Sequence, residues 1–453
     1  MNIDLYNIKT WKENFEKNEN NEFIQNALTE NSLRKLYTNR TLYQQNKHIY
    51  NYKVTPDVKV TNQKSSGRCW LFAALNVMRR DFIAEYSLPS DFEFSQSYLF
   101  FWDKLERMNY NMECIIDTYS DKTDSRIVHH LLDDPTCDGG QWDMFCSLIN
   151  KYGIVPKSVY KETFHSSSSR GMNTILKKMF RETACLIRKT SQEDVNERQR
   201  LKYVFLESVY GVLCKFLGTP PSNFTWEYED KTGKYNKIEN VTPGEFYKQH
   251  VPFNCDDYIC VVNDVRKENP FHQLYTVKYL GNVADGNKIL YLNVPNDELK
   301  ELAFKSIKNN KAVWFGCDVG QSLQHSECSM DLDLVDYEKL FGFKFNLNKE
   351  ERVNYRDSLM THAMVLSGVN TSKKNNCVNN DENETINKWQ VENSWSADGV
   401  AKGYYMMTDD WFTEYVYELA IPKSSLTKEQ KKILENNEIK ELQPWDPMGS
   451  LAK

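Results

Sequence analysis

The sequence predicts an α+β protein of two unequal halves, and three observations carry that prediction. Apolar residues recur at helical spacing through much of the first half. Runs of β-branched and aromatic residues dominate from about residue 255 onward. A charged stretch with helical stripes of its own separates the two. With 453 residues the chain can bury a large core and form two or three lobes. A hydrophobic content of 40% and a charged content of 26% are ordinary for a soluble globular protein. The net charge of −6 gives no general attraction to nucleic acid or to an anionic membrane. Eleven cysteines, an odd number without framework spacing, suit a reducing compartment. Residues 1–18 hold no apolar stretch of signal-peptide type, so the expected location is the cytosol, with no membrane span.

Residues 1–60 read as an N-terminal arm of short helices, for instance Ser32–Gln45, polar enough to wrap over a body. Residues 61–160 form a helical lobe. It opens on Gln63-Lys64-Ser65-Ser66-Gly67-Arg68-Cys69-Trp70, a small polar loop that carries a cysteine into an apolar run. Leu71, Leu75, Met78 and Phe82 then make the stripe of an amphipathic helix. Tyr98, Phe100, Phe101 and Trp102 mark a second helix, and Gln141–Asn150 a third. Before the third stands Cys137-Asp138-Gly139-Gly140, either a plain turn or bare backbone suited to pairing with an extended peptide.

Residues 161–253 read as a helical insertion. Met172, Ile175, Leu176, Met179 and Phe180 form one stripe. Leu201, Val204, Phe205, Val209, Val212, Leu213 and Phe216 form another, preceded by a capping-box pattern at Ser191–Asp194 and ended by Gly218. Such a hairpin is suited to a subunit contact, because an apolar stripe needs a partner. Residues 254–435 are strand-rich: Tyr258–Val262, Leu274–Tyr279, Lys288–Val294, Val313–Asp318, Ala363–Val369, Trp389–Val391, Tyr404–Met407 and Tyr415–Ile421. The Asn-rich stretch Ser372–Asn387 reads as a surface loop between two of them. Residues 436–453 form a C-terminal arm whose Pro444, Pro447 and Gly449 disfavour a helix.

The chemistry concentrates on a few residues. Cys69 falls at a helix start, where aligned backbone dipoles favour a thiolate, and Gln63 carries an amide able to donate to an oxyanion. A buried cysteine that only fills space is the competing reading. A cysteine nucleophile needs a base and a group to orient that base. His362, just before an apolar strand, can be the base, and Asn393 in Asn393-Ser394-Trp395 can accept from its ring while Trp395 covers the bond. His325, Cys317 and Cys328, or Cys255 and Cys260, lack the spacing of a metal site, so no metal and no cofactor is expected.

Gln63…Cys69-Trp70, Gly139-Gly140, His362-Ala363 and Asn393-Ser394-Trp395 resemble, in the same chain order, the papain-like cysteine peptidases. The blocks QKSSGRCWLFAALN, EFSQSYLFFWDK, DGGQWDM, VWFGCDVG, THAMVLSGV, WQVENSWS and PWDPMGSLAK extend the likeness to the bleomycin hydrolase and aminopeptidase C family over nearly the whole chain. One departure is Ser396, where secreted papain-like enzymes usually carry glycine. The resemblance implies a helical lobe and a β-barrel-like lobe, with the insertion as a hook that locks subunits into a homohexamer around a channel. It implies the triad Cys69, His362 and Asn393, the oxyanion donor Gln63, and substrate contacts at Gly139, Gly140, Ala363 and Trp395. It also implies that the C-terminal arm lies in the cleft and ends on a carboxylate, at Lys453 or after trimming at Ala452, that pairs with a substrate's free amine. The expected function is thus a cysteine aminopeptidase acting on peptides with a free N-terminus, with hydrolysis of bleomycin and homocysteine thiolactone as further activities. The alternatives are a non-proteolytic hexamer that binds nucleic acid or acts as a scaffold, and a cathepsin-like endopeptidase.

Overall fold

The computed structural model describes residues 2–45, 47–191, 193–373, 384–436 and 438–450. Helices α1 (Leu5–Glu16) and α2 (Glu19–Glu30) are capped by Asp4 and Asn18 and bury no residue. Beyond these helices the chain pairs with the body at Thr38, bridged to Val335, and again where Tyr52 and Lys53 pair with Val369 and Gly368.

The helical half is built on α3 (Cys69–Glu85), α4 (Gln96–Asp117), α5 (Arg126–Asp133) and α6 (Trp142–Tyr152). Leu71, Phe72, Ala74, Leu75, Met78 and Phe82 on α3 are buried almost completely, so this helix is apolar nearly all round and runs through the core. In the insertion, α7 (Arg170–Lys189) and α8 (Val195–Leu217) pack on each other and on α4, burying Met172, Leu176, Phe180, Phe205, Val209 and Leu213. The stripe thus finds its partner within the chain, while Leu186, Tyr203 and Val204 remain exposed. The N-cap of α8 is Asp194, which accepts from the Glu197 N–H. The sequence places this cap three residues early, at Ser191, because both residues offer a capping oxygen ahead of the apolar run. A hairpin of β1 (Phe224–Glu229) and β2 (Tyr235–Val241) completes the insertion, which is therefore not wholly helical.

Among the described residues the second half is built on a twelve-stranded mixed sheet, to which Tyr52–Lys53 of the N-terminal part contributes one strand. Its main strands are β3 (Tyr258–Val262), β4 (Leu274–Val277), β5 (Tyr291–Asn293), β6 (Val313–Cys317), β7 (His362–Lys373), β8 (Glu384–Glu392), β9 (Tyr404–Thr408), β10 (Val416–Pro422) and β11 (Ile439–Leu442), in the order β11-β4-β5-β3-β10-β6-β7-β8-β9. Ser372, Lys373 and Glu384–Asn387 belong to β7 and β8, so these strands run further than the loop reading predicts; residues 374–383 of that stretch lie outside the described residues.

A buried ion pair ties the halves together. The Arg79 guanidinium donates to Glu392 Oε1 at 2.8 Å, and Arg80 donates to its other oxygen, with all three side chains almost fully buried. Removing one partner of such a group typically costs about 3–5 kcal/mol, because the remaining charge is stranded out of water. The bridge fixes α3, which begins at Cys69, against the end of β8, one residue before Asn393.

Candidate active site

Three separate stretches meet at one place. Cys69 is the first residue of α3 and is 2% exposed. His362 is the first residue of β7, and Asn393 follows the last residue of β8. Because β7 and β8 pair antiparallel, with Val365 opposite Glu392, the start of one and the end of the other lie side by side. His362 Nε2 and Asn393 Oδ1 are 2.9 Å apart. Since the amide oxygen only accepts, the ring must carry its proton on Nε2 when neutral, which leaves Nδ1 as the basic atom. The Trp395 indole stacks on the imidazole with centroids 4.7 Å apart and planes 27° off parallel. That places an apolar plate over the His362–Asn393 bond. Cys69 reaches this strand through the Ala363 backbone N–H, which lies against the thiol. Among the described residues no direct hydrogen bond joins the thiol to the imidazole.

Gln63 is drawn into the same site. Its backbone N–H donates to Ser394 O at 2.8 Å, and Ser394 Oγ donates to its Oε1 at 2.6 Å. Its Nε2 donates one proton to Ser66 O at 2.7 Å, and a primary amide has a second to give. Ser394, between Asn393 and Trp395, is thus the residue that aims Gln63. Nothing in the sequence around Ser394 marks this role, which depends on a partner 331 positions away.

The glycine pair has divided duties. Gly139 gives its carbonyl to the Arg107 guanidinium at 2.8 Å, a bond in which its N–H takes no part. Gly140 lies on the Trp70 indole, where an added Cβ would stand 2.6 Å from Trp70 Cε2. A side chain at Gly140 would displace the tryptophan that follows Cys69. Asp138, unnoticed in the sequence, ties the loop down. It accepts from the Gly67 N–H at 3.1 Å and pairs with Lys104 at 2.6 Å. Burial raises its pKa, but Lys104, Ser169 and Asn173 together override that and hold it well below the usual carboxylate range. Arg68, beside Cys69, makes two hydrogen bonds to Glu162, at 3.0 and 2.9 Å. The root of the insertion therefore braces the nucleophile loop.

Ser396, the departure from glycine, has φ +84°. Glycine takes that conformation without strain, whereas an L-residue meets a steric cost on the order of 1 kcal/mol or more. The serine is held there by its hydroxyl, which donates to Asp398 Oδ2 and accepts from the Asp398 N–H at 3.2 Å.

Electrostatics correct one expectation. Burial pushes the Cys69 thiol up to about 12, against the pull of the Ala363 and Trp70 N–H groups toward the thiolate. Burial brings the His362 imidazole down to about 4, with the Asn393 bond opposing and the charge of nearby His325 assisting. The helix start does not lower the thiol as predicted, because a full loss of water outweighs one turn of aligned amides. The two groups together hold one proton between about 4 and about 12. Below that window both are protonated and no thiolate forms. On the acid side kcat/KM should therefore fall as pH drops toward about 4, well below the ordinary histidine value of 6.5. A pH–rate profile checks this; an acid limb at 6.5 contradicts it.

A profile of the Peptidase C1-like family matches residues 2–449. The chain belongs to this family. Human bleomycin hydrolase is 44% identical over 437 residues, covering 95% of this chain and 94% of its own. Aminopeptidase C of Listeria innocua is 42% identical over 444 residues, covering 98% and 97%. The crystal structure of PepW from Lactobacillus rhamnosis HN001 superposes with a TM-score of 0.93 at 38% identity, covering 100% of this chain and 99% of that one. The expectation of a papain-like cysteine peptidase of the bleomycin hydrolase and aminopeptidase C kind accords with these relatives, and the mixed α and β architecture agrees with the fold of the C1-like family. Among the described residues no helix is long and apolar enough to cross a membrane, and no cluster of His, Cys, Asp and Glu is arranged to hold a metal ion.

The C-terminal arm approaches this site. Ser450 O accepts from Gln141 Nε2 at 3.4 Å, next to Gly140, and Met448 O accepts from the Tyr291 hydroxyl at 3.2 Å. The arm is not fully extended, since Pro447–Gly449 forms a single 3-10 turn. Ala452 and Lys453 lie outside the described residues.

Proposed function

We propose that the protein is a cysteine aminopeptidase that removes residues from the free N-terminus of peptides by thiol acyl transfer. The observation that carries this reading is the hydrogen bond of His362 to Asn393 beneath Trp395, with Cys69 and Gln63 converging on the same strand ends. In the substrate complex the thiol proton passes to His362, because a buried charge pair is tolerated where either charge alone is not. The thiolate attacks the first peptide carbonyl, and the Gln63 amide and the Cys69 N–H receive the oxyanion. His362 gives its proton to the departing amine, then takes one from water as the acyl group is released. Substrate contacts are assigned to Gly139, Gly140, Ala363 and Trp395.

The preference for a free amine is assigned to the C-terminal arm, which fills the side of the cleft by Gly140 and Gln141. Deleting residues 446–453 should therefore admit N-acetylated peptides that the full chain leaves uncut. An unchanged requirement for a free amine in the truncated chain would sink the arm's part of this reading. Bleomycin and homocysteine thiolactone fit the same acyl chemistry as substrates. A homohexamer is supported by exposed apolar side chains on two extensions, Leu5, Trp11 and Phe23 on the arm and Leu186, Tyr203 and Val204 on the insertion.

Binding of nucleic acid has one observation in its favour, a cavity of about 1060 Å³ by the arm lined in part by Arg107, Arg126, Arg181, Arg188, Lys189 and Arg356. Several of those guanidinium groups are already engaged: Arg107 with Asp103, Arg181 with Leu132 O and Arg188 with Thr118 O. Peptide hydrolysis is the better-supported reading.

A further inference from the structure

Two consecutive residues of the C-terminal arm grip opposite walls of the cleft. On the helical side the half-buried Trp445 lies under the Arg126 guanidinium of α5, 4.0 Å from ring centroid to Cζ. His130 of the same helix meets the indole edge-on at 6.3 Å. On the sheet side Asp446 takes two hydrogen bonds from Arg266, at 3.1 Å from Nη1 and 2.7 Å from Nη2. The Arg266 side chain is only 6% exposed, and its other donors go to Asp264 at 2.9 and 2.7 Å. Asp264 is held in turn by the Asn269 amide at 2.8 Å. The guanidinium is thus pre-aimed by the body of the protein, and a planar fork presented in this way recognises one carboxylate in one orientation.

Asp446 does a second job with the same side chain. Its Oδ1 accepts from the Met448 N–H at 2.9 Å and so caps the turn Pro447–Gly449. That turn buries Met448 and delivers Ser450 to Gln141 beside Gly140. One carboxylate therefore fixes both the anchorage of the arm and the direction in which it leaves the anchor. A tail held by backbone contacts alone would sample many paths, since each unfixed residue retains its backbone entropy.

We propose that Arg266 and Asp446 are specificity-determining residues: their ion pair straps the arm across the cleft and so sets how much of a substrate fits on the side of its N-terminus. The inference rests on the aminopeptidase reading above and adds to it the device that holds the arm in place. Loss of the strap lets the arm leave the cleft while the nucleophile and its base stay intact. The expected mark is a change in the ratio of two activities, which general loss of folded protein cannot produce.

The experiment compares kcat/KM for a free aminoacyl coumarin with that for its N-acetylated peptide analogue. It uses the full chain, Asp446→Ala, Asp446→Glu, Arg266→Ala and the chain lacking 446–453. Asp446→Ala should raise the blocked-to-free ratio about tenfold, the factor equivalent to one ordinary charge-assisted hydrogen bond. It should also raise KM for the free substrate more than it lowers kcat. Asp446→Glu, which keeps the carboxylate, should restore most of the discrimination. A carboxypeptidase should shorten Asp446→Ala faster than the full chain, a readout that needs no turnover and stands even where Arg266→Ala fails to fold. If the truncated chain accepts blocked substrates while Asp446→Ala keeps the original ratio and the original trimming rate, the strap is overturned and the aminopeptidase reading survives. If the truncated chain also refuses blocked substrates, the arm has no part in specificity and the strap falls with it.

Discussion

Cys69→Ala is expected to lower kcat for an aminoacyl coumarin by a factor on the order of 10⁵ to 10⁶, the range lost when a nucleophile is removed from a unit that works together. Melting temperature should change little. The thiol is 2% exposed and burial pushes it up to about 12, so alanine removes a small apolar volume. The same substitution should abolish covalent labelling by an epoxide reagent, although other cysteines are present. Cys317 and Cys260 have no exposed surface, and Cys185 is exposed but lies on α7, away from the strand ends where Cys69, His362 and Asn393 meet. His362→Ala should fall about as far as Cys69→Ala, since without the imidazole the thiol has nowhere to send its proton. Asn393→Ala should fall less, because the base remains and only its orientation and tautomer are freed. Turnover near the original rate in Cys69→Ala would show that another group forms the acyl intermediate.

The residues that do the chemistry were legible because each sits in a local pattern. Cys69 opens an apolar helix, His362 opens an apolar strand, and Asn393 stands beside a tryptophan; the structure places all three at element ends, as read. The strands of the second half were legible for the same reason, since β3, β6, β9 and β10 fall within a residue or two of their β-branched runs. What escaped were interactions with no local signature. Arg79 and Glu392 are 313 positions apart, and nothing near either announces a buried charge pair. Asp138 looks like a turn residue until Lys104, Ser169, Asn173 and the Gly67 N–H are brought around it. The hairpin β1–β2 did carry an alternating pattern, Phe224 and Trp226 inward and Thr225 and Glu227 outward, but its length is slight beside the helices that precede it. The direction of the thiol's pKa was misread because a helix start is visible in sequence and the depth of burial is not.

Gln63→Ala should lower kcat by about 10²–10³, or roughly 3 kcal/mol of transition-state stabilisation, with KM nearly unchanged. An oxyanion exists only after attack, so its donor stabilises the transition state and leaves the bound substrate almost untouched. For Gln63 this holds only if the amide is rigid, and three bonds make it so: the backbone N–H to Ser394 O, Oε1 from Ser394 Oγ, and Nε2 to Ser66 O. The last of these uses one amide proton and turns the other away from Ser66. A binding measurement separates this from simple damage to the loop. A peptide aldehyde, which forms a tetrahedral adduct on Cys69, should weaken in proportion to the lost kcat in Gln63→Ala, whereas a non-covalent product peptide should bind as before. Ser394→Ala should move both quantities in the same direction but by less, since the amide keeps its bond to Ser66 and loses only the restraint on Oε1. Equal weakening of aldehyde and product in Gln63→Ala would mean that the residue shapes the cleft and does not receive the oxyanion. In that case the Cys69 N–H would be left as the donor to the developing charge.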